Sequence, residues 1–195
     1  MNKFIRMTVI ALVSLWGISS ANATPVLSFD ASNTNITKNY QVGDTIVMEL
    51  WISGLTDIDL AGFDLGLSFT PAISSYQSTD FSPELSDQDF ILLNDWLMSP
   101  GELNLSGVSL APDLSTQTDV LRIATLSFTA LSAGSSWLSF DYSLLSDEFA
   151  EAFASTNFGA TINVSNRPVT VPEPSALLLL ILGISGLLVR AKLVR

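Results

Sequence analysis

Apolar and polar residues alternate with a period of two along most of the chain between residues 24 and 166. Because successive side chains of a β-strand point to opposite faces of a sheet, this alternation predicts strands with one buried face. Four segments show it most clearly. Their predicted inward positions are Ile46, Met48, Leu50 and Ile52 in 45–53; Phe63, Leu65, Leu67 and Phe69 in 62–69; Ala124, Leu126, Phe128 and Ala130 in 124–130; and Leu138, Phe140 and Tyr142 in 138–142.

Five weaker segments also predict strands, and turn-forming residues such as Gly43, Gly54 and Gly101 separate the candidates. These segments are 26–30, 73–77, 90–93, 103–110 and 158–164. About nine short strands with turns between them predict an all-β fold, an antiparallel sandwich of two sheets. One segment, 147–155, has the residue spacing of a helix of one or two turns.

The N-terminus has the organisation of a secretory signal peptide. Lys3 and Arg6 form a basic start, residues 7–18 are apolar, and Ala21 and Ala23 form a small-residue cleavage site. We therefore expect residues 1–23 to be removed on export, so that the mature chain begins at Thr24. A retained N-terminal membrane helix is the alternative reading.

The C-terminus predicts a membrane segment. The 15 uncharged residues of 175–189 span about 22 Å as a helix, which is shorter than the hydrocarbon core of about 30 Å. Such a helix can cross if the bilayer thins and the basic residues of 190–195 reach the far interface. The basic end is expected in the cytoplasm, which places residues upstream of the span outside.

Pro172, Glu173 and Pro174 precede this segment, and the order of motif, apolar run and basic tail resembles the PEP-CTERM sorting signal of Gram-negative bacteria. That resemblance covers residues 171–195 and implies processing by the membrane transpeptidase exosortase. It also implies a location at the cell surface or in the extracellular matrix, in bacteria that make exopolysaccharide. The alternative is a plain C-terminal anchor. We divide the chain into a signal peptide at 1–23, a sandwich domain at 24–166 and a sorting segment at 167–195.

The composition of the central region excludes several classes of function. Residues 24–170 hold 18 acidic residues against Lys38, Arg122 and Arg167, a net charge of −15 that disfavours nucleic acid and anionic lipid as partners. The chain has no cysteine and no histidine, so disulfides and the usual catalytic bases and nucleophile pairs are absent. A carboxylate pair for glycoside hydrolysis is conceivable, but nothing marks one. We expect no enzymatic activity and no cofactor.

Several of the predicted strands together resemble a cohesin module. The matching segments read GDTIV at 43–47, LAGFDLGLSFTPAI at 60–73 and IATLSFTAL at 123–131. The resemblance spans about residues 26–164 and implies a nine-stranded jelly-roll sandwich. Cohesins bind dockerin modules, but the matched residues are core and turn positions, so the resemblance supports the fold more than the partner.

Candidate binding residues are three tryptophans. Alternation places Trp51 and Trp137 on the faces opposite the predicted core, and Trp96 falls in a predicted loop. Exposed tryptophans stack on sugars or anchor protein partners, whereas a covering loop would make them structural. Four acidic residues, Asp57, Asp59, Asp87 and Asp89, are weak candidates for calcium ligands, and solvated acidic turns are the alternative reading.

The sequence thus predicts an exported, non-enzymatic surface or matrix protein that binds a protein or an exopolysaccharide through a cohesin-like sandwich. Two alternatives stay open at this stage. One is a carbohydrate-binding module of the biofilm matrix, and the other is a carboxylate-dependent glycosidase. Binding to polysaccharides and release of sugar products would distinguish these three functions.

Overall fold

The computed structural model describes residues 24–56, 58–85 and 91–168, and these form twelve β-strands. All nine strands predicted from the sequence are present. In chain order the strands are β1 (Val26–Ser28), β2 (Ile36–Gln41), β3 (Thr45–Ser53), β4 (Gly62–Ser68), β5 (Ser74–Phe81), β6 (Ile91–Ser99), β7 (Glu102–Ser109), β8 (Val120–Ala130), β9 (Gly134–Ser146), β10 (Ala152–Phe153), β11 (Thr156–Asn157) and β12 (Ala160–Ser165).

The strands form two sheets. One has five strands in the order β11-β1-β3-β8-β5, and the other has seven, in the order β2-β12-β9-β4-β7-β6 with β10 paired to β9. Most neighbours are antiparallel, as the sequence predicts, but β1 pairs with β11 and β12 pairs with β2 in parallel. The chain divides after Ser165 into two units, and all twelve strands belong to the first.

The core lies between the inner faces of the two sheets, and the predicted inward positions of β3, β4 and β8 are all buried in it. Phe128 lies near its centre. Its ring packs edge-on against Phe69, at 5.2 Å between centroids, and against Tyr76, at 5.9 Å. Alternation in the sequence therefore assigns these strands to the correct faces.

The phenol of Tyr76 joins the open edges of the two sheets. Its hydroxyl donates a hydrogen bond to the carboxylate of Asp95 on β6 and lies 2.7 Å from the Thr79 hydroxyl. Burial, followed by the hydrogen bond to Asp95, raises the pKa of Tyr76 to about 12. The hydroxyl therefore keeps its proton, and the hydrogen bond between the sheets, across the neutral range.

Three strands were not predicted, and the helix predicted over 147–155 is wrong. Strand β2 places Lys38 between Ile36 and Tyr40, which interrupts the apolar alternation; β10 and β11 have two residues each. In place of the helix, the Asp147 carboxylate accepts hydrogen bonds from the backbone N–H groups of residues 149 and 151, at 2.9 and 2.8 Å. Ala150 takes a positive φ of 60°, which ends any helical turn.

The prediction for Tyr142 is also wrong, because β9 contains a bulge. The pairing of β9 with β4 is regular from Ser146 to Tyr142, opposite Gly66, and then skips a residue, so that Phe140 pairs with Leu67. A bulge of this kind shifts the alternation by one residue. Phe140 packs against the core as predicted, but Tyr142 lies on the outer face and is 39% exposed.

Several predicted features lie outside the described residues. These are the signal peptide with Ala21 and Ala23, the sorting motif Pro172, Glu173 and Pro174, the apolar segment 175–189, and three of the acidic candidates, Asp57, Asp87 and Asp89. Over the ranges that the structure covers, no helix has the length and apolar character needed to cross a membrane.

The buried face of β4 generates a stability prediction. Leu67 is fully buried, and replacing it with alanine leaves a cavity between the sheets. We expect Leu67→Ala to lower the free energy of unfolding by about 2–5 kcal/mol. Leu92→Ala is the matched control, because the same side chain is 67% exposed there, and it should change stability by only about 0.5 kcal/mol. Chemical denaturation measures both, and equal losses would contradict the assigned faces.

Candidate binding face

The outer face of four adjacent strands in the seven-stranded sheet gathers most of the unusual surface side chains. These strands are β9, β4, β7 and β6, in that order, and we call their outer surface the four-strand face. Gly62 and Gly66 alternate with Asp64 on the outward side of β4, and because glycine has no side chain the surface is lower at these two positions. Side chains from the neighbouring strands stand around or lean over these glycines.

One half of this face is apolar. Leu92 pairs directly with Val108, and Val108 pairs with Gly62 on its other side. Leu144 lies two residues along β9 from Ser146, the partner of Gly62, and is opposite Asp64. We call the three exposed side chains of this half the apolar patch: Leu92 (67% exposed), Val108 (50%) and Leu144 (63%).

A shallow hollow of about 320 Å3 opens in the apolar patch. Gly62 contributes no side chain to it, and Val108, Leu144 and Ala152 line its sides. A methyl group at Gly62 would lie 2.5 Å from the hydroxyl oxygen of Ser146, which would have to shift. The hollow is large enough to receive an apolar side chain from a partner.

The other half of the face is polar and aromatic. The phenol oxygen of Tyr142 accepts a hydrogen bond from Asn104 Nδ2 at 2.7 Å and donates one to Asp64 Oδ1 at 3.2 Å. Asn104 Nδ2 also donates to Asp64 Oδ1 at 2.6 Å. The side chains of Asn104 on β7 and Asp64 on β4 thus hold the ring of Tyr142 on β9 in place. Partial burial, followed by the charge of Asp64, raises the pKa of Tyr142 above 10.0, so the phenol is neutral at neutral pH.

Hydroxyl groups continue this polar half along β9 and β4. The Ser68 hydroxyl lies 3.0 Å from that of Ser139 and donates to Asp141 Oδ1 at 2.9 Å. Beyond Ser139, Trp137 is 48% exposed, and its indole rests beside Gly159. We call Trp137, Ser139 and Tyr142 the β9 row, since all three are outward positions of that strand.

The four-strand face carries negative charge and no positive charge. Asp64, Glu102 and Asp141 lie on this side of its strands, and none of the residues of the four strands is lysine or arginine. Such a surface attracts cationic groups and repels anionic polymers. Hydroxyl-bearing neutral ligands are also compatible with it, because carboxylates and hydroxyls accept their hydrogen bonds.

The three predicted tryptophans do not form one site. Trp96 and Trp137 share the four-strand face, although Trp96 lies in β6 and not in the predicted loop. Trp51 lies in β3, which belongs to the other sheet. It is only partly exposed, and its indole Nε1 is buried without a hydrogen-bond partner. An unpaired buried donor destabilises the fold, so the indole nitrogen of Trp51 does not stabilise the sandwich.

No metal site is evident in the part of the chain that the structure describes. Asp59 is the single calcium candidate among the described residues, and it lies in the segment between β3 and β4. Within those residues no three His, Cys, Asp or Glu side chains are grouped closely enough to hold an ion.

Comparisons with known proteins support the fold. No family model and no curated protein matches the sequence. Several solved cohesin structures are similar to this chain. A chain of a type I cohesin–dockerin complex from Clostridium thermocellum is 11% identical, with a TM-score of 0.61, and the match covers 76% of this chain and 98% of that one. The cohesin module of a family 33 glycoside hydrolase from Clostridium perfringens is 12% identical, with a TM-score of 0.60 and coverages of 74% and 98%.

The likeness also extends outside cellulosomes. A non-cellulosomal cohesin from the archaeon Archaeoglobus fulgidus is 12% identical, with a TM-score of 0.54, over 73% of this chain and 92% of that one. At these identities the likeness concerns the fold alone. The described part of the chain is thus an all-β, two-sheet sandwich that resembles cohesin modules.

Sequence reasoning missed the most informative residues of the face. Val108 and Leu144 alternate outward in their strands, but the sequence does not say that β7 and β9 flank β4. Tyr142 was assigned to the core because the bulge in β9 is invisible in the alternation. Glycines at outward positions of β4 were the available signal, since such glycines often mark a close approach by another group.

Single-tryptophan variants test the placement of these side chains. We expect acrylamide to quench the fluorescence of Trp137 strongly, because it is half exposed, and that of Trp51 weakly, because its indole nitrogen is buried. Trp96 should behave like Trp137 and is the internal control. Equal quenching of Trp51 and Trp137 in the folded chain would contradict the described positions.

Proposed function

We propose that this chain is an exported, non-enzymatic binding module that docks a protein partner through the apolar patch of the four-strand face. The apolar patch is the observation that carries the proposal. Its three exposed apolar side chains lie on β6, β7 and β9, and two of them, Val108 and Leu144, line a hollow beside Gly62. Clustered exposed apolar side chains of this kind mark protein interaction sites.

The comparisons support a protein partner in particular. Similar chains occur in cohesin–dockerin complexes, where a sandwich of this fold is bound to another protein module. A dockerin-type partner is therefore the class we propose. The acidic residue Asp64 lines the hollow, so the partner should carry lysine or arginine beside the apolar side chain that fills it.

Export and sorting complete the proposal. The sequence features of 1–23 and 167–195 support a sandwich outside the cell that is anchored in the inner membrane until exosortase acts at Pro172, Glu173 and Pro174. After processing the protein would belong to the cell surface or to the extracellular matrix of a Gram-negative bacterium. A face that binds a second protein suits that location, because it would attach other matrix components.

Site-specific photo-crosslinking in producing cells tests the docking proposal. A benzophenone side chain at position 144 or 108 should give one discrete protein adduct, because both positions line the hollow. Position 47 is the matched control, since Val47 is exposed on the outer face of the other sheet. Adducts at position 47 of equal yield, or none at 144 and 108, would overturn the proposal. In vitro, the captured partner should bind more weakly as salt increases.

Intact-mass analysis tests the sorting proposal. In cells with active exosortase we expect the exported form to lack residues 175–189, whereas a strain without the enzyme should keep them. Exchanging Glu173 and Pro174 for alanine should retain the tail even when the enzyme is present. An intact tail on the exported protein of exosortase-positive cells would contradict this part of the proposal and would leave the docking proposal untouched.

A further inference from the structure

The β9 row has a geometry that the docking of a protein at the apolar patch does not use. Tyr142 and Trp137 are aromatic and exposed, and both rest on glycine positions. A Cβ atom at Gly66 would overlap Cδ1 and Cε1 of Tyr142 and would lie 3.0 Å from Cζ. If this Cβ atom lay in the plane of the ring, outside its rim, it would be much farther from Cζ than from Cδ1 and Cε1. The ring of Tyr142 therefore lies with one face on Gly66.

Since one face of the ring lies on Gly66 and Tyr142 is 39% exposed, we take the opposite face as the one open to solvent. Hydrogen bonds from Asn104 and to Asp64 fix the position of the Tyr142 hydroxyl and therefore of the ring. A flat aromatic ring that is fixed before a ligand arrives loses little conformational entropy on binding. Its electron-rich face attracts the weakly positive C–H groups of a flat apolar surface, and a pyranose ring presents such a surface.

Hydrogen-bonding groups lie where the hydroxyl groups of a stacked sugar would need them. Every described hydrogen bond to Asp64 uses Oδ1, and the Ser68 hydroxyl bonds Oδ1 of Asp141. The second oxygen of each carboxylate is therefore available as an acceptor. The hydroxyls of Ser139 and Ser68 lie between the two aromatic side chains and can both donate and accept.

The length of the row suits a chain of sugars. Trp137 is two residues from Ser139, and Ser139 and Tyr142 lie opposite Ser68 and Gly66, which are also two residues apart. At about 3.4 Å per residue, the two aromatic side chains are roughly 14 Å apart along the strand. This is the length of a short oligosaccharide and not of a single ring.

We infer that the β9 row is a binding site for a neutral polysaccharide, which stacks on Tyr142 and Trp137 and bonds the hydroxyls and carboxylates between them. The charge of the face selects this class of ligand. Asp64 and Asp141 stand beside the row, and its strands hold no lysine or arginine. Polymers of uronic acids or sulfated sugars are repelled there. The site adjoins the apolar patch, since Leu144 is the next outward position of β9 after Tyr142, and it goes beyond the proposed function.

Calorimetric titration of the full chain, in a detergent without a sugar headgroup, tests the inference. The probes are four soluble neutral glycans, namely a mixed-linkage β-glucan, a mannan, a galactan and a dextran, and a polyuronate of similar length. We expect at least one neutral glycan to bind and the polyuronate not to bind. Failure of all four, or equal binding of the polyuronate, would overturn the inference.

Point variants then locate the site. Tyr142→Ala and Trp137→Ala should each weaken binding by about tenfold through loss of stacking. Gly66→Ala should weaken it similarly, because the methyl group displaces the ring, whereas Tyr142→Phe keeps the ring and should stay within about threefold. Trp96→Ala is the control, an exposed tryptophan outside the row. A loss in Trp96→Ala equal to that in Trp137→Ala would overturn the inference.

Two further measurements keep the result unambiguous. Thermal unfolding of each variant checks the fold. If Gly66→Ala is unfolded, the variants at the exposed positions 142 and 137 decide whether the row binds the glycan. A photo-crosslinker at position 137 that gives a discrete protein adduct, with no glycan attached, would assign the row to a protein partner and refute the inference. The docking proposal is tested separately, by the protein adducts at positions 144 and 108.

Discussion

Packing of the two apolar sheet faces against each other is the interaction on which this structure depends. The chain has no cysteine, and its described residues form no helix. The ion pair recorded among them joins Arg122 to Glu49 at 3.4 Å, with both side chains partly exposed, and such pairs contribute at most about 1 kcal/mol. Burial of the inward positions must therefore hold the sheets together. Since the inner faces are committed to the core, function is confined to outer faces, edges and loops.

The four-strand face owes its chemistry to one local irregularity. Without the bulge in β9, the alternation that buries Leu138 would also turn the ring of Tyr142 toward the core. With the bulge, the ring turns outward over Gly66, where any larger residue would collide with it. The bulge and the glycine are thus two parts of one arrangement: the first turns the ring outward, and the second gives it a surface to lie on.

The fold follows from the sequence where one face of a strand is continuously apolar, as in β3, β4 and β8. It does not follow where a side chain competes with that pattern. In β2 the charged Lys38 interrupts the apolar alternation of Ile36 and Tyr40, and its Nζ donates to the carbonyl oxygen of Val47 at 3.4 Å. Asp147 replaces the predicted helix by bonding backbone groups. The candidate site was harder still, because Val108, Leu144 and Asp64 become neighbours only through the strand order, which is a property of the whole chain.

The two halves of the four-strand face differ in what binding must do to water. At the apolar patch, release of water from Val108 and Leu144 is itself favourable, so shape and apolar area determine the partner. Along the β9 row a ligand must replace the hydrogen bonds that Asp64 and Asp141 make with water, so only a ligand rich in hydroxyls suffices. Val108 lies on β7, two strands and about 10 Å from β9, whereas Leu144 and Tyr142 are successive outward positions of β9 itself. A helix with its side chains is about 10–12 Å wide. A partner helix that lies along β6 and β7 would leave the row open, whereas one that crosses the strands over Leu144 would cover it, so the orientation of the docked partner decides whether protein and polysaccharide bind together.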